Sequence, residues 1–323
     1  MHRVFLTGGT GFIGAHVASA LVSAGYAVRA LVRRPSQRVE DSETVVGDLE
    51  RVGDFAHALH GCRYVVHCAA LYSFAPRDRA RMRRINVEGT AALLEAARIA
   101  GVERAVVTSS ASTAGPSHDG TPVDERSLPP PDEAPSSYHA SKREQERSAL
   151  SSRIPVVLLL PTAPVGAGDR TPTPTGALIR DFAAGKIFAL PPRGGMNLVP
   201  VDDVARAHVA ALTRGGRGER YLLGGENLSL RRVWELLADV TGRRMPWLRV
   251  PMPAIIGMAH LDELRCRVVP ATRPFIPIEG ARMANELMYV DSSKARDALG
   301  FQPGSVRAAL ERAVRFYRDS RAR

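Results

Sequence analysis

The chain has 323 residues, 45% of them hydrophobic, with a formal net charge of +11, which allows one large domain, or a domain and a smaller lobe, around a real core. Lys142, Lys186 and Lys294 are the only lysines and the arginines spread over the whole length, so the basic balance reads as solvated surface and not as a nucleic-acid partner. Cys62, Cys68 and Cys266 lack metal-ligand spacing and suggest no disulfide framework. No apolar run reaches membrane-spanning length, and the first strand starts too close to Met1 for a signal peptide, so a cytoplasmic protein with no metal and no membrane insertion is expected.

The apolar run Val4 to Leu6 predicts a buried strand. Gly8, Gly11 and Gly14 follow at three-residue steps around Thr10, Phe12 and Ile13, and an Ala-rich helix then runs from Ala15 to Ala24. A strand, a glycine turn and a helix N-terminus are what a dinucleotide pyrophosphate rests on: the glycines let it approach the backbone, and the helix supplies unpaired N–H donors. Further strands are predicted at Ala27–Val32, Thr44–Val46 (running into Gly47, Asp48 and Leu49), Tyr64–Ala69, Ala105–Thr108 and Val156–Leu160. Helices are predicted over about Asn86 to Ala100, stopped by Gly101, and Tyr138 to Leu150, the latter after a proline-rich loop at Pro129–Pro135.

This alternation predicts an α/β fold, a Rossmann doubly wound parallel sheet with a smaller α/β C-terminal substrate lobe. The texture changes at Pro161, which sets residues 1–160 as the cofactor domain and 161–323 as mainly the substrate lobe. Elements near 197–212 are expected to return to the first domain. Beyond them lie a strand at Tyr221–Leu223 and a helix opened by Ser229 as N-cap. The apolar segment Met252–Met258, with Leu261 and Leu264, is a candidate pocket lining.

Two groups of residues carry chemistry. Tyr138 and Lys142 stand one helical turn apart, so an ammonium beside a phenol is expected to lower the phenol's pKa and fit it for acid–base work. The same ammonium can hold ribose hydroxyls. Ser110, at the end of the fifth strand, sits where open α/β sheets bind ligands and can orient a carbonyl. The second predicted strand ends in Arg33 and Arg34, without the acid that bonds a ribose 2′-hydroxyl, and a guanidinium suits a 2′-phosphate. NADP(H) is therefore favoured over NAD(H).

The segments Thr7–Gly14, Gly47–Leu49, His67–Ala70, Asn86–Thr90, Val107–Ser110, Tyr138-x-x-x-Lys142 and Pro200–Val204 together resemble the extended short-chain dehydrogenase/reductase family over nearly the whole chain. Within it the chain is most similar to the dihydroflavonol-4-reductase-like branch, and Gly166–Asp169 and Gly224–Asn227 are similar to hopanoid-associated sugar epimerases. The resemblance implies that Tyr138 is the proton donor or acceptor, Lys142 its partner and ribose anchor, Ser110 the carbonyl-orienting hydroxyl and Asn86 an active-site helper. The plain structural reading of Asn86 is a helix N-cap, and the two roles are compatible. It further implies that Asp48 and Leu49 flank the adenine, that Cys68, Ala69 and Thr108 line the cofactor path, and that Pro161, Thr162 and Ala163 lie by the nicotinamide. A homodimer through the helices near 86–100 and 138–150 is also implied.

The same residue set serves reductases, epimerases and dehydratases. Dehydratases of this family carry an Asp-Glu pair after the catalytic hydroxyl residue, whereas Ala111 and Ser112 follow Ser110 here. The expected activity is NADP(H)-dependent interconversion of a ketone and an alcohol on a medium to large, partly hydrophobic small molecule. The alternatives are a sugar epimerase acting by transient oxidation and a non-catalytic NADP-binding regulator.

Overall fold

The computed structural model describes residues 1–73, 75–129, 136–187, 189–190, 193–268 and 285–320. Strand β1 (Arg3–Thr7) leads through the glycine turn into helix α1 (Phe12–Ser23), followed by β2 (Ala27–Val32), β3 (Ser42–Val46) and β4 (Tyr64–His67). A helical run then combines α2 (Arg79–Arg83), a π-turn at Arg84–Glu88 and α3 (Gly89–Ile99). It precedes β5 (Arg104–Thr108), α4 (Ser137–Leu150) and β6 (Val156–Pro161).

The rest of the chain holds β7 (Ala163–Val165), α5 (Pro174–Ala183), β8 (Ala189–Leu190), β9 (Gly195–Pro200), α6 (Val201–Ala211) and β10 (Arg220–Leu223). After these come β11 (Glu226–Ser229), α7 (Leu230–Thr241), β12 (Leu248–Arg249), α8 (Met252–Val268) and β13 (Leu287–Met288). Two C-terminal helices, Ser293–Leu299 and Val306–Asp319, complete the described residues.

Seven parallel strands form the main sheet in the order β10-β6-β5-β4-β1-β2-β3. This is the doubly wound 3-2-1-4-5-6 order with one strand added at an edge. Side chains alternate along each strand, so both faces must be covered by apolar groups. Val4, Leu6, Val66 and Leu159 pack under α1 and α6, while Phe5, Val65, Val107 and Leu158 pack under α3. A third core joins α5, α7 and the Val306–Asp319 helix, where the Phe182 and Trp234 rings stack at 5.7 Å.

The strand expected at 221–223 is β10, and it pairs with β6 in the main sheet. Within the stretch near 197–212, α6 packs on α1. His16 of α1 fastens this junction: Nδ1 lies 2.8 Å from Asp202 Oδ1 and Nε2 lies 2.9 Å from Ala167 O. Ser229 caps α7 as expected, its hydroxyl accepting the Arg232 N–H.

Three expectations fare differently. The helix expected from Asn86 begins at Arg79, because the arginine-rich turn 79–84 carries no apolar periodicity to announce it. Asn86 therefore lies inside the helical run, fully buried, and is not an N-cap. Met258, Leu261 and Leu264 are exposed by 45%, 69% and 55%, so they stand on the outside of α8. The proline-rich loop, beyond Pro129, lies outside the described residues.

Candidate active site

The C-terminal ends of β1, β4, β5 and β6 converge on one edge of the sheet, and the neighbours β1 and β4 connect in opposite directions. That switch in winding opens a crevice. Gly8, at the end of β1, has φ +76°, and a Cβ there would lie 2.6 Å from Ala69 N at the end of β4. A Cβ on Gly14 would lie 2.1 Å from Gly8 O, so the helix can approach the turn only as glycine. Gly11 is the N-cap of α1 and no side chain caps that helix. Its first N–H groups are left facing the crevice edge, which is the cradle a pyrophosphate needs. The residues present fit a dinucleotide.

Thr10 is exposed at the rim, with Phe12 and Ile13 half-buried beside it. Arg33 and Arg34 follow β2, one strand over from Gly8, with exposed side chains. The Gln37 side chain accepts both of their backbone N–H groups at 3.1 Å, which curls the turn beneath them. Asp48 caps the turn after β3 by accepting the Glu50 N–H at 2.9 Å. Leu49 sends its side chain into the core.

Ser110 follows β5 by two residues, half-buried, with its hydroxyl 2.8 Å from the Ser112 hydroxyl. Tyr138 and Lys142 occupy the first two turns of α4, a helix started by Ser136, whose hydroxyl accepts the His139 N–H. Lys142 is buried and donates to Thr108 O at 2.9 Å and to Gln145 Oε1 at 2.8 Å. Burial pulls its pKa down to about 8, against the charge of Glu146, which holds it up. Burial also pushes the Tyr138 phenol up. The expected lowering by Lys142 is thus not the direction found: surroundings poor in water favour the neutral phenol, and the ammonium is directed to two carbonyl oxygens.

Asn86 bridges the loop after β4 to α4. Its Oδ1 accepts the Leu71 N–H at 2.7 Å, and its Nδ2 donates to Leu71 O and to the Ser141 hydroxyl. Thr108 Oγ1 lies 2.8 Å from His208 Nε2 and 3.3 Å from Cys68 Sγ. Burial carries the Cys68 thiol up to about 11, which makes it a neutral wall beside Ala69. Past Pro161 at the end of β6, and just before Ala163 of β7, Thr162 donates to Asn197 Oδ1 at 2.8 Å.

Several residues of the site carry no signal in the chain's order. Glu146, one turn beyond Lys142, accepts the hydroxyls of Ser109 and Thr113 on either side of Ser110. Arg220 of β10 places Nε 3.0 Å from Glu146 Oε2, a charge contact and not an aligned hydrogen bond, and donates to Thr113 Oγ1 and Glu125 O. Gln145, Thr90, His67 and Thr7 form a second buried set, which Lys142 joins through Gln145. Tyr72 leans its ring on Tyr138. Of these, Thr7, His67, Thr90 and Ser109 stood inside a motif that sequence could read.

A doubly wound sheet, a glycine cradle and a hydroxyl, phenol and ammonium at one sheet edge define an NAD(P)-dependent oxidoreductase of the extended short-chain dehydrogenase/reductase type. The chain belongs to the NAD dependent epimerase/dehydratase family, whose pattern it matches over residues 4–224. It is 38% identical to a Synechocystis sp. protein named "Putative dihydroflavonol 4-reductase", over 98% of this chain and 94% of that one. It is 34% identical to sterol demethylase protein B of Methylococcus capsulatus, over 97% and 98%. Among solved structures, that of gox2253 superposes with a TM-score of 0.86 at 35% identity, covering 99% of both chains.

Proposed function

We propose that the protein is an NADP(H)-dependent reductase that interconverts a ketone and an alcohol on a medium to large, partly hydrophobic molecule, with Tyr138 as acid and base. The observation that carries this reading is the juxtaposition of Ser110, Tyr138 and Lys142 at the sheet edge that also holds the Gly8–Gly14 cradle. When bound, the nicotinamide supplies or accepts the hydride. The Ser110 hydroxyl is suited to orient the substrate oxygen. Tyr138 holds a proton at Oη at neutral pH, because burial raises its pKa, and so can release it to a carbonyl oxygen that is gaining charge. Lys142 then offsets the charge left on the phenol.

Arg33 and Arg34 support NADP(H), since both guanidiniums are exposed beside the cradle and no acid ends β2. The names of the relatives, a dihydroflavonol reductase and a sterol demethylase protein, support an apolar, ring-containing substrate. A homodimer through α3 and α4 belongs to the same reading and is supported by Ile99 and Leu150, which are 67% and 41% exposed at the ends of those helices.

NADPH oxidation across a panel of aromatic and alicyclic ketones tests the proposal. Turnover that collapses in Tyr138→Phe while NADPH still binds is the expected result. A purified protein that retains NAD and turns over no ketone would overturn it in favour of the epimerase. Unchanged turnover in Tyr138→Phe would remove the catalytic assignment.

A further inference from the structure

Gln145 is fully buried beside Lys142, and hydrogen-bond accounting leaves its orientation no freedom. Its Oε1 accepts from Lys142 Nζ at 2.8 Å, and its Nε2 donates to Thr90 Oγ1 at 2.9 Å. A threonine hydroxyl has one proton and two lone pairs. Thr90 spends the proton on Asn86 O at 2.6 Å, so it must accept from His67 Nε2, 2.9 Å away. His67 thus carries its proton on Nε2 and accepts at Nδ1 from Thr7 Oγ1, at 2.6 Å. Thr7 in turn accepts the Ala69 N–H. Burial holds His67 near 3, so this imidazole stays neutral at every working pH. The chain from Ala69 to Lys142 has a single consistent set of donors and acceptors and starts from the two strand ends that border the cradle.

We propose that Gln145 is the positioning residue for Lys142, aiming its ammonium and stabilising the charged form through the Thr90–His67–Thr7 chain. The inference rests on the reading of Tyr138 and Lys142 as the reacting pair. The groups that face the ammonium are Glu146 from its own helix, and Cys68 and His67 from β4 and the loop after it. Glu146 is engaged by Arg220, Ser109 and Thr113. Beside the Glu146 charge, the neutral carbonyl oxygens of Gln145 and Thr108 oppose the cost of burying the ammonium by direct hydrogen bonds.

The chain has only three lysines, so the titration of each can be followed by NMR on protein labelled with carbon-13 at the lysine ε-carbon, with Lys142→Arg assigning the signal. Gln145→Leu removes the acceptor, and the Lys142 titration should move to lower pH by about one unit. Gln145→Glu keeps the shape but adds an anion, and the titration should move to higher pH by a similar amount. The alkaline limb of kcat should follow each shift while KM for NADPH changes little. A residue that only fills space would not move the titration in opposite directions, so shifts of one sign, or none, in the two variants would overturn the inference. Collapse of turnover in Tyr138→Phe and Lys142→Ala together with unmoved Gln145 variants would sink this inference alone. Opposite shifts with undiminished turnover in those two variants would sink the catalytic reading instead.

Discussion

The Tyr72 ring stands edge-on to that of Tyr138, with centroids 4.5 Å apart and planes at 61°. Tyr72 is 44% exposed, so the ring that supports the phenol also keeps part of its surface in solvent. An aromatic contact of this kind is worth about 0.5–1.5 kcal/mol. Tyr72→Ala should raise KM for ring-containing ketones about twofold to tenfold and leave small aliphatic ketones nearly unaffected. Equal effects on both classes would show that Tyr72 serves only to steady Tyr138.

Exchange of Arg33 and Arg34 for alanine should weaken NADPH by about tenfold or more, the worth of charge-assisted bonds to a phosphate. NADH should hold its affinity. The turn itself survives, because Gln37 grips only backbone N–H groups of these residues. Titration calorimetry with each nucleotide reads the difference, and equal losses would remove the 2′-phosphate from the argument.

His16 faces an acceptor at each ring nitrogen, and only the imidazolium can donate to both. Burial pulls its pKa down, but the bond to Asp202, the Ala167 carbonyl and the Asp202 charge outweigh it and leave the pKa above 6.5. A folded pKa above the unfolded one gives stability that is complete below 6.5 and is lost as pH rises through the folded value. Asp202 is lowered, first by its bond to His16, so its contribution is lost on the acid side as pH falls through its folded pKa. Thermal unfolding should show Tm falling as pH rises past 6.5 in the parent and a flatter profile in His16→Phe. A profile unchanged by the exchange would place the pH dependence elsewhere.

Glu146 and Arg220 form a contact that is nearly dry, with side chains 7% and 10% exposed. Removing one member strands the other, at a cost of about 3–5 kcal/mol. Glu146→Ala also leaves the Ser109 hydroxyl without its acceptor, while the Thr113 hydroxyl keeps Ser110 O. It should lower both stability and turnover, whereas Glu146→Gln, which keeps an acceptor oxygen, should lose less of each. Denaturant midpoints beside kcat separate the two effects.

The strands near the cofactor cradle were legible because a parallel sheet covered on both faces writes unbroken apolar runs such as Val156–Leu160. The cradle was legible because its glycines are demanded by backbone approach, as at Gly8 and Gly14. What stayed hidden lies in contacts between distant positions. Gln145 looks like any polar residue on a polar helix until α4 sets it against Thr90, 55 residues earlier. The start of α2 was masked by its arginines, and the role of Asn86 turned on a π-turn that no local pattern announces. The direction of the Tyr138 pKa depended on burial, which spacing along a helix does not report.

Strand β10 pairs with β6 although some 60 residues separate them in the chain, and through Arg220 it also reaches the Glu146 cluster behind Ser110. On the ribosome, the cradle and the Tyr138 helix emerge well before the strand that closes the sheet. Until Arg220–Leu223 appears, the wholly apolar β6 is an unpaired edge, a template for pairing with another chain. A fragment ending near residue 160 would inherit that edge permanently. The nascent chain therefore passes through an interval of aggregation risk that ends only when its last sheet strand docks, and in the same event Glu146, behind the reacting residues, receives its buried counter-charge.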